Sequence, residues 1–310
     1  MRAEAGCRLC RGTWRRRALV GAALCGLFLV AAAGCVDAAN GVEGRAGNEG
    51  ARGAFTVGTF NIHYTAPWQD RMAWEERRAS VLAMLEDAEF DLLAFQEMET
   101  FEGGHFNEEN RQLDFIAARF PEYAFAAVGK PEQYPSTQPV MYRRERFEVL
   151  AQGFFFFSPD PDEIYSRSWD GGFPAFCSWV RFRDLQSDGA FYLYNVHLDH
   201  SSRGNRIKSA ELIAGRVTER EHTSDPVIVV GDFNAPWFFR PVRIVAEAGL
   251  DIADTTGSTF HFFRGINVLP AIDHVLVSQP FEPQDTRVLR RSYEDTWPSD
   301  HYPVLVTVSR

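Results

Sequence analysis

The chain has 310 residues, is 45% hydrophobic and 14% aromatic, and carries a formal charge of -10. That is enough apolar material for one large core or two small ones, and nothing in it points to disorder beyond the N-terminus. The first 35 residues hold six Arg and one Glu, a net of +5, which leaves -15 on the remainder; so acidic a body argues against a tight, sequence-independent grip on nucleic acid.

Arg15, Arg16 and Arg17 precede an apolar stretch from Ala18 to Gly34. This is the charged segment and apolar segment of a signal peptide, slightly short for a comfortable membrane span. It ends in Ala32-Ala33-Gly34-Cys35, small residues before a Cys that resemble the lipobox of bacterial lipoproteins. On that reading residues 1–35 are a leader, Cys35 carries a lipid anchor to the membrane, and residues 36–53 are a Gly-rich tether. Cleavage after an Ala-x-Ala and an uncleaved anchor stay open beside it, and the paired arginines also suit twin-arginine export. The expected location is exported, periplasmic or at the cell surface. Of five Cys only Cys177 falls in the body, which leaves no internal disulfide there.

From residue 54 to 310 no linker or repeat interrupts the pattern. Phe55 to Phe60 reads as a strand and Trp74 to Ala88 as an amphipathic helix with Ala79, Leu82, Ala83 and Leu85 on one side. Phe90 to Phe95 is a buried strand, and Gln112 to Phe120 a helix stopped by Pro121. Val140 to Arg143 and Phe147 to Phe157 read as paired strands. Phe176 to Phe182 and Ala190 to His197 read as a hairpin around Ser187-Asp188-Gly189. Helices follow over Asn205 to Glu221 and Arg240 to Ala248. Strands follow over Pro226 to Val230, Ile272 to Val277 and Val304 to Val308. Wholly apolar strands need cover on both faces, so sheet packed on sheet, with helices outside, fits better than one open sheet. The run Phe154 to Phe157 reads as a strand buried on both faces, with an aromatic wall or membrane-facing edge as the alternative.

Polar residues stand just beyond six of the apolar runs: Asn61 and His63, Gln96-Glu97, His197 to His200, Gly231-Asp232-Phe233-Asn234, Asp273-His274, and Ser299-Asp300-His301. One such carboxylate is a cap or a turn residue; six together point to a convergent site. A hard cation such as Mg2+ takes oxygen ligands, and Glu97, Asp300 and the amide oxygen of Asn61 supply that set. A phosphate ester needs its charge neutralised before a nucleophile approaches, and a His fixed by a carboxylate manages protons near neutral pH.

Gln96-Glu97, Gly231-Asp232-Phe233-Asn234 and Ser299-Asp300-His301, in this order and spacing, resemble the endonuclease/exonuclease/phosphatase superfamily, in particular its bacterial exported members. The resemblance covers about Phe55 to Val308. It implies an α/β, DNase I-like, four-layer sandwich of two packed mixed β-sheets flanked by helices. It implies Glu97 as the principal Mg2+ ligand with Asn61 and Asp300 nearby, Mn2+ or Ca2+ being alternatives. His301 then acts as base or phosphate stabiliser, oriented by Asp273. Asp232 positions the water or assists the leaving group, and Asn234 and His197 hold the phosphate. His63 and His197 stand where abasic-site repair enzymes of that superfamily carry Asp and Tyr, which counts against DNA repair. Arg206 and Trp237 are further candidates for substrate contact: Arg206 either binds an anionic group or pairs with acids at its helix start, and Trp237 opens an aromatic stretch behind the Gly-Asp-Phe-Asn motif. Asp254 and His261 lack motif context and read as surface or loop residues.

The expectation is an exported, monomeric, metal-dependent hydrolase of phosphate mono- or diesters, acting on a phosphorylated small molecule or a phosphodiester. Nucleic acid is a less favoured substrate. A secreted nuclease, a sphingomyelinase-like phospholipase C and a non-catalytic binding module are the alternatives.

Overall fold

Neighbouring side chains of a strand point to opposite faces, so an unbroken apolar run must be covered on both. The chain meets that demand with two stacked sheets and an outer layer of helices on each. The computed structural model describes residues 53–65, 73–98, 110–130, 132–167 and 169–310. The leader, Cys35 and all but the last residue of the expected tether lie outside the described residues.

The elements run β1 (Phe55–Asn61), α1 (Trp74–Ala88), β2 (Leu92–Gln96), α2 (Arg111–Ala117), β3 (Tyr123–Ala126), β4 (Val140–Arg143), β5 (Phe147–Phe156), β6 (Phe176–Asp184) and β7 (Gly189–His197). They continue with α3 (Arg203–Thr218), β8 (Val227–Asp232), α4 (Arg240–Ala246), β9 (Leu250–Ile252), β10 (Asp273–Ser278), β11 (Glu282–Val288) and β12 (Val304–Ser309). One sheet has the order β11-β12-β1-β2-β4-β3 and the other β5-β6-β7-β8-β10-β9. Two pairs are parallel, β1 with β2 and β7 with β8, and the rest are antiparallel. Each parallel pair is joined through a helix, α1 or α3, as a parallel connection requires.

Three apolar clusters separate the layers. Val57, Leu92 and Ala94 meet Leu193, Ile228 and Val230 between the sheets. Phe60, Leu93 and Phe95 face α1 and α2, while Val196, Val229 and Leu276 face α3 and α4. Leu92-Leu93-Ala94-Phe95 thus serves two cores by turns, and each such large side chain contributes about 1.5–3 kcal/mol of burial. The run Phe154 to Phe157 does the same: Phe154 packs on the inter-sheet cluster, and Phe155 and Phe157 face the α3 layer. It is a buried strand and not a membrane edge. Among the described residues no helix is long and apolar enough to cross a membrane.

Three expectations change. β4 and β5 are not paired: β4 joins β2 and β3 in the first sheet, and β5 joins β6 in the second, because the turn at Arg144-Glu145 carries the chain across the sandwich. The buried stripe of α1 is Trp74, Arg77, Ser80, Val81, Met84, Leu85 and Ala88, and Ala79 is exposed. Arg77 holds that stripe because backbone carbonyls satisfy its guanidinium. Finally, β3, β9 and β11 add short or polar edge strands; β11 contains Pro283 and a register shift, features that blunt an edge.

Gly231 sets how closely β7 and β8 lie at the functional end. Its φ is +143°, and a Cβ there would stand 1.9 Å from the Val196 carbonyl oxygen. Gly231→Ala therefore costs on the order of 2–4 kcal/mol, strain and overlap together, in urea denaturation; a change within about 0.5 kcal/mol, the scatter of neutral surface substitutions, would contradict this packing.

Candidate active site

Register brings the polar ends together. Asn61 ends β1 level with Gln96 on β2, and Glu97 follows. His197 ends β7 level with Asp232 on β8, and Asp232 is level with Asp273 at the start of antiparallel β10. His301 lies just before β12 and bridges to Phe260. The carboxyl ends of β1, β2, β7 and β8 thus share one end of the sandwich, with the sheets contributing groups from both sides of the inter-sheet gap.

Two buried groups face each other across that gap. His301 Nδ1–H donates to Asp273 Oδ2 at 2.9 Å. The second Asp273 oxygen is buried with no protein partner, and the amides of Ile272 and Asp273 donate to Thr259 Oγ1. The free ring nitrogen, Nε2, stands 3.8 Å from Asp232 Oδ2, beyond a hydrogen bond. The same Asp232 oxygen takes Asn61 Nδ2 at 3.2 Å and lies 3.8 Å from His197 Nε2. Burial opposes the His301 imidazolium, but Asp273, then Asp232 and Asp300, outweigh it and hold its pKa up at about 10. Burial and then the charge of Asp273 push Asp232 up to about 6. Asp232, Asp273 and His301 also lie close enough together to hold a cation, within 4.8 Å. Their hydrogen bond makes them first a proton-handling group.

Glu97 forms the second focus. Its Oε1 accepts Asn61 Nδ2 at 3.0 Å, and its Oε2 accepts the Tyr64 amide at 3.4 Å. Burial opposes its charge, yet His197, the Asn61 amide, His63 and His301 outweigh this and keep its pKa below the ordinary value. Asp300 lies across from it, its Oδ1 accepting Ser299 Oγ at 3.2 Å. His63 Nδ1 stands between them, 3.7 Å from Glu97 Oε2 and 3.5 Å from Asp300 Oδ1. Two carboxylates and an imidazole suit a divalent cation by donor chemistry. Of the expected ligands, Asn61 turns its NH2 to Glu97 and Asp232, while its oxygen accepts the His63 amide at 3.0 Å.

Backbone geometry supports both foci. His63, Glu97 and Asn234 all have positive φ, at 62°, 57° and 46°, a conformation that collects at functional sites. Asn234 N donates to Asp232 Oδ1 at 2.7 Å, and its NH2 donates to the Leu198 carbonyl at 2.8 Å, which ties the β8 turn to the β7 turn. The fully buried Arg77 donates to the carbonyls of Ile62, His63, Tyr64 and Pro298. It thereby fixes the segment after β1 against the one leading to Asp300.

The remaining candidates are peripheral. Arg206 spends its Nη1 on the carbonyls of Asp199 and His200, at 2.7 and 3.0 Å, and so holds its own loop; among the described residues it forms no ion pair. Trp237 is half exposed beside the equally exposed Phe238 and Phe239. The structure adds aromatic neighbours that carry no motif: Phe173 packs on His197, Phe263 edge-on against His63, and Phe260 on His301. His261, expected at the surface or in a loop, is a buried loop residue stacked on Tyr302 at 3.9 Å. Arg77 was hidden by its charge, although its place three residues after Trp74 and four before Val81 is a core position.

The chain belongs to the endonuclease/exonuclease/phosphatase family, whose model matches residues 58–301. No curated protein sequence matches it. Among solved structures, a mannosyl-6-phosphatase from Bacteroides thetaiotaomicron is 26% identical with a TM-score of 0.72, over 83% of this chain and 100% of that one. An endonuclease/exonuclease/phosphatase family protein from the same organism is 26% identical with a TM-score of 0.71, over 82% and 97%. A third, from Bacteroides vulgatus, is 24% identical with a TM-score of 0.70, over 83% and 98%. The two packed sheets, with four helices among the described residues, are the DNase I-like fold, and members of this family hydrolyse phosphate esters.

Asp199 stabilises the loop that follows His197. It is fully buried and accepts the amides of Gly172, Ser201 and Ser202 at 2.6–2.9 Å. Burial opposes its charge, but those amides outweigh it and lower its pKa. Asp199→Asn puts an NH2 against an N–H and loses about 1–3 kcal/mol. A carboxylate with a lowered folded pKa stabilises above its unfolded pKa and loses the effect as pH falls through the folded one. The gap between wild type and variant in urea denaturation therefore narrows from about pH 7 to about pH 3. A gap that widens in acid would contradict this.

Proposed function

We propose that this chain is a metal-dependent phosphoesterase acting on a small phosphorylated substrate, with a sugar phosphate monoester the first candidate. The observation that carries the reading is the His301–Asp273 pair set opposite Asp232, beside the carboxylates of Glu97 and Asp300. A divalent cation bound by Glu97 and Asp300 supplies the charge neutralisation that a phosphate ester demands. The chain's own residues do the rest.

His197 Nε2, beside Asp232, holds a phosphoryl oxygen, and the second N–H of the Asn234 amide, whose first is spent on the Leu198 carbonyl, holds another. Asp232 Oδ2 accepts the proton of the attacking water, for it is the buried oxygen at which Asn61, His197 and His301 converge. Asp273 holds His301 by Nδ1, so Nε2 presents its proton to the developing phosphoryl charge. Water attacks phosphorus and gives its proton to Asp232, the P–O bond to the leaving group breaks, and the alkoxide departs with the proton of His301 Nε2, which the proton on Asp232 then replaces.

The acidic body does not favour a polyanion. Half-exposed Phe262, whose ring packs on Phe260 and through it beside His301, suits a ring stacked near the phosphate. The mannosyl-6-phosphatase, matched over its whole length, supports a sugar. The leader at residues 1–35 supports action outside the cytoplasm, with Cys35 as the anchor point.

The test is turnover of mannose 6-phosphate, a simple phosphodiester, plasmid DNA and sphingomyelin vesicles, each with Mg2+, Mn2+ or Ca2+ and with chelator. Monoester hydrolysis is expected to need the ion and to fall by about 10²-fold or more in His301→Gln, and likewise in Glu97→Gln, with the fold intact by circular dichroism. Near-normal activity in His301→Gln would sink the assignment. DNA turnover above monoester turnover would support the nuclease reading, sphingomyelin turnover the phospholipase, and neither turnover nor ion binding a binding module.

A further inference from the structure

His63 is held more tightly than a loop residue needs. It follows β1 by two residues and sits in the left-handed region, which few residues other than Gly occupy, although His enters it more readily than most. Its amide donates to Asn61 Oδ1, and its carbonyl accepts from Arg77 and from Gln112 Nε2 at 2.9 Å. Its ring lies on Tyr64 with 4.7 Å between centroids and meets the edge of Phe263 at 5.2 Å. Backbone and ring are both pinned, and the result is to aim Nδ1 between two carboxylates, 3.5 Å from Asp300 Oδ1 and 3.7 Å from Glu97 Oε2.

Those separations are long for hydrogen bonds. Two ligands about 2.1 Å from one ion, at angles of roughly 90–110°, stand about 3.0–3.4 Å apart, so each of these two separations is within a few tenths of an ångström of a shared ion, and the two carboxylates, which stand farther from each other, close on the ion when it binds. Asn61 is turned the other way, its oxygen engaged with the His63 amide and its NH2 with Glu97 and Asp232. His197 also stands 3.7 Å from Glu97, but from the other oxygen, on the side of Asp232.

We propose that His63 Nδ1 is the third protein donor to the cation held by Glu97 and Asp300, and that this nitrogen makes the site prefer Mn2+ to Mg2+. Mg2+ favours oxygen donors and gains little from imidazole, whereas imidazole suits transition metals. The neutral ring, with its proton on Nε2, is the ligating form. The inference rests on the metal-dependent reading above and specifies which ion that reading requires.

The experiment uses the full chain, stripped of metal and titrated with Mn2+ under electron paramagnetic resonance, then with Mg2+ as competitor. Mn2+ is expected to bind on the order of tenfold more tightly than Mg2+ or better. Pulsed measurements are expected to show one directly bound ring nitrogen. His63→Asn keeps a residue that tolerates positive φ; it is expected to lose the nitrogen coupling and weaken Mn2+ binding by roughly 10–100-fold, with an unchanged melting temperature. His197→Asn is expected to keep the coupling. Wild-type protein that binds Mn2+ without a bound nitrogen, or a coupling that survives in His63→Asn, overturns the role of His63 and leaves the metal-dependent reading standing. Failure of the wild type to bind either ion overturns both.

Discussion

The hydrogen bond between Gln96 and Asn195 is the constraint on which the site depends. Gln96 Nε2 on β2 donates to Asn195 Oδ1 on β7 at 2.7 Å, and so joins the two sheets where the apolar core ends. Neither residue is exposed. Thr59 donates to the Gln96 oxygen, and Asn195 donates back to the carbonyls of Phe95 and Gln138. Gln138 donates to the carbonyls of Phe176 and Asn195, and Ser178 donates to Gln138. A polar network this deep is tolerable only if its groups are satisfied, and when satisfied it permits one relative placement of its parts. Apolar side chains between the sheets would allow sliding; this ladder does not.

That placement matters because the residues of the candidate site come from both sheets. The first brings Asn61, Glu97, Asp300 and His301, and the second His197, Asp232, Asn234 and Asp273. The contacts that define the chemistry cross the gap: His301 to Asp273 at 2.9 Å and Asn61 to Asp232 at 3.2 Å. Gln and Glu are adjacent in the motif for that reason. Gln96 fixes the sheet, and the next residue, at positive φ, swings its carboxylate out of the ladder into the site. Arg77 does for the outer segments what Gln96 does for the strands, since it clamps the turn after β1 to Pro298.

Much of this was legible in the sequence. The apolar runs marked the central strands because each is covered on both faces, and polar residues at their ends marked the site. Glu97, Asp232, Asp273, Asp300 and His301 converge as the motif order implied. What stayed hidden has physical causes. Leu250–Ile252 is too short to show a period, and Glu282–Val288 is a polar edge strand with a proline. The split of β4 from β5 is set by a turn whose direction no periodicity records. Arg77 reads as surface by charge and is core by position. Gln96 reads as part of a catalytic motif and acts as a crosslink, a role that depends on Asn195, 99 residues away.

In the proposed mechanism two neighbouring foci have separate tasks, a cation at Glu97 and Asp300 and proton transfer at Asp232, Asp273 and His301. Anomalous diffraction from crystals of the protein soaked with Mn2+ and orthophosphate measures this directly. The expected result is an anomalous peak bonded to Glu97 and Asp300, a phosphate beside it in contact with His197, Asn234 and His301, and the His301–Asp273 hydrogen bond intact. A peak bonded to Asp232, Asp273 and His301, with Glu97 and Asp300 bare, would contradict it.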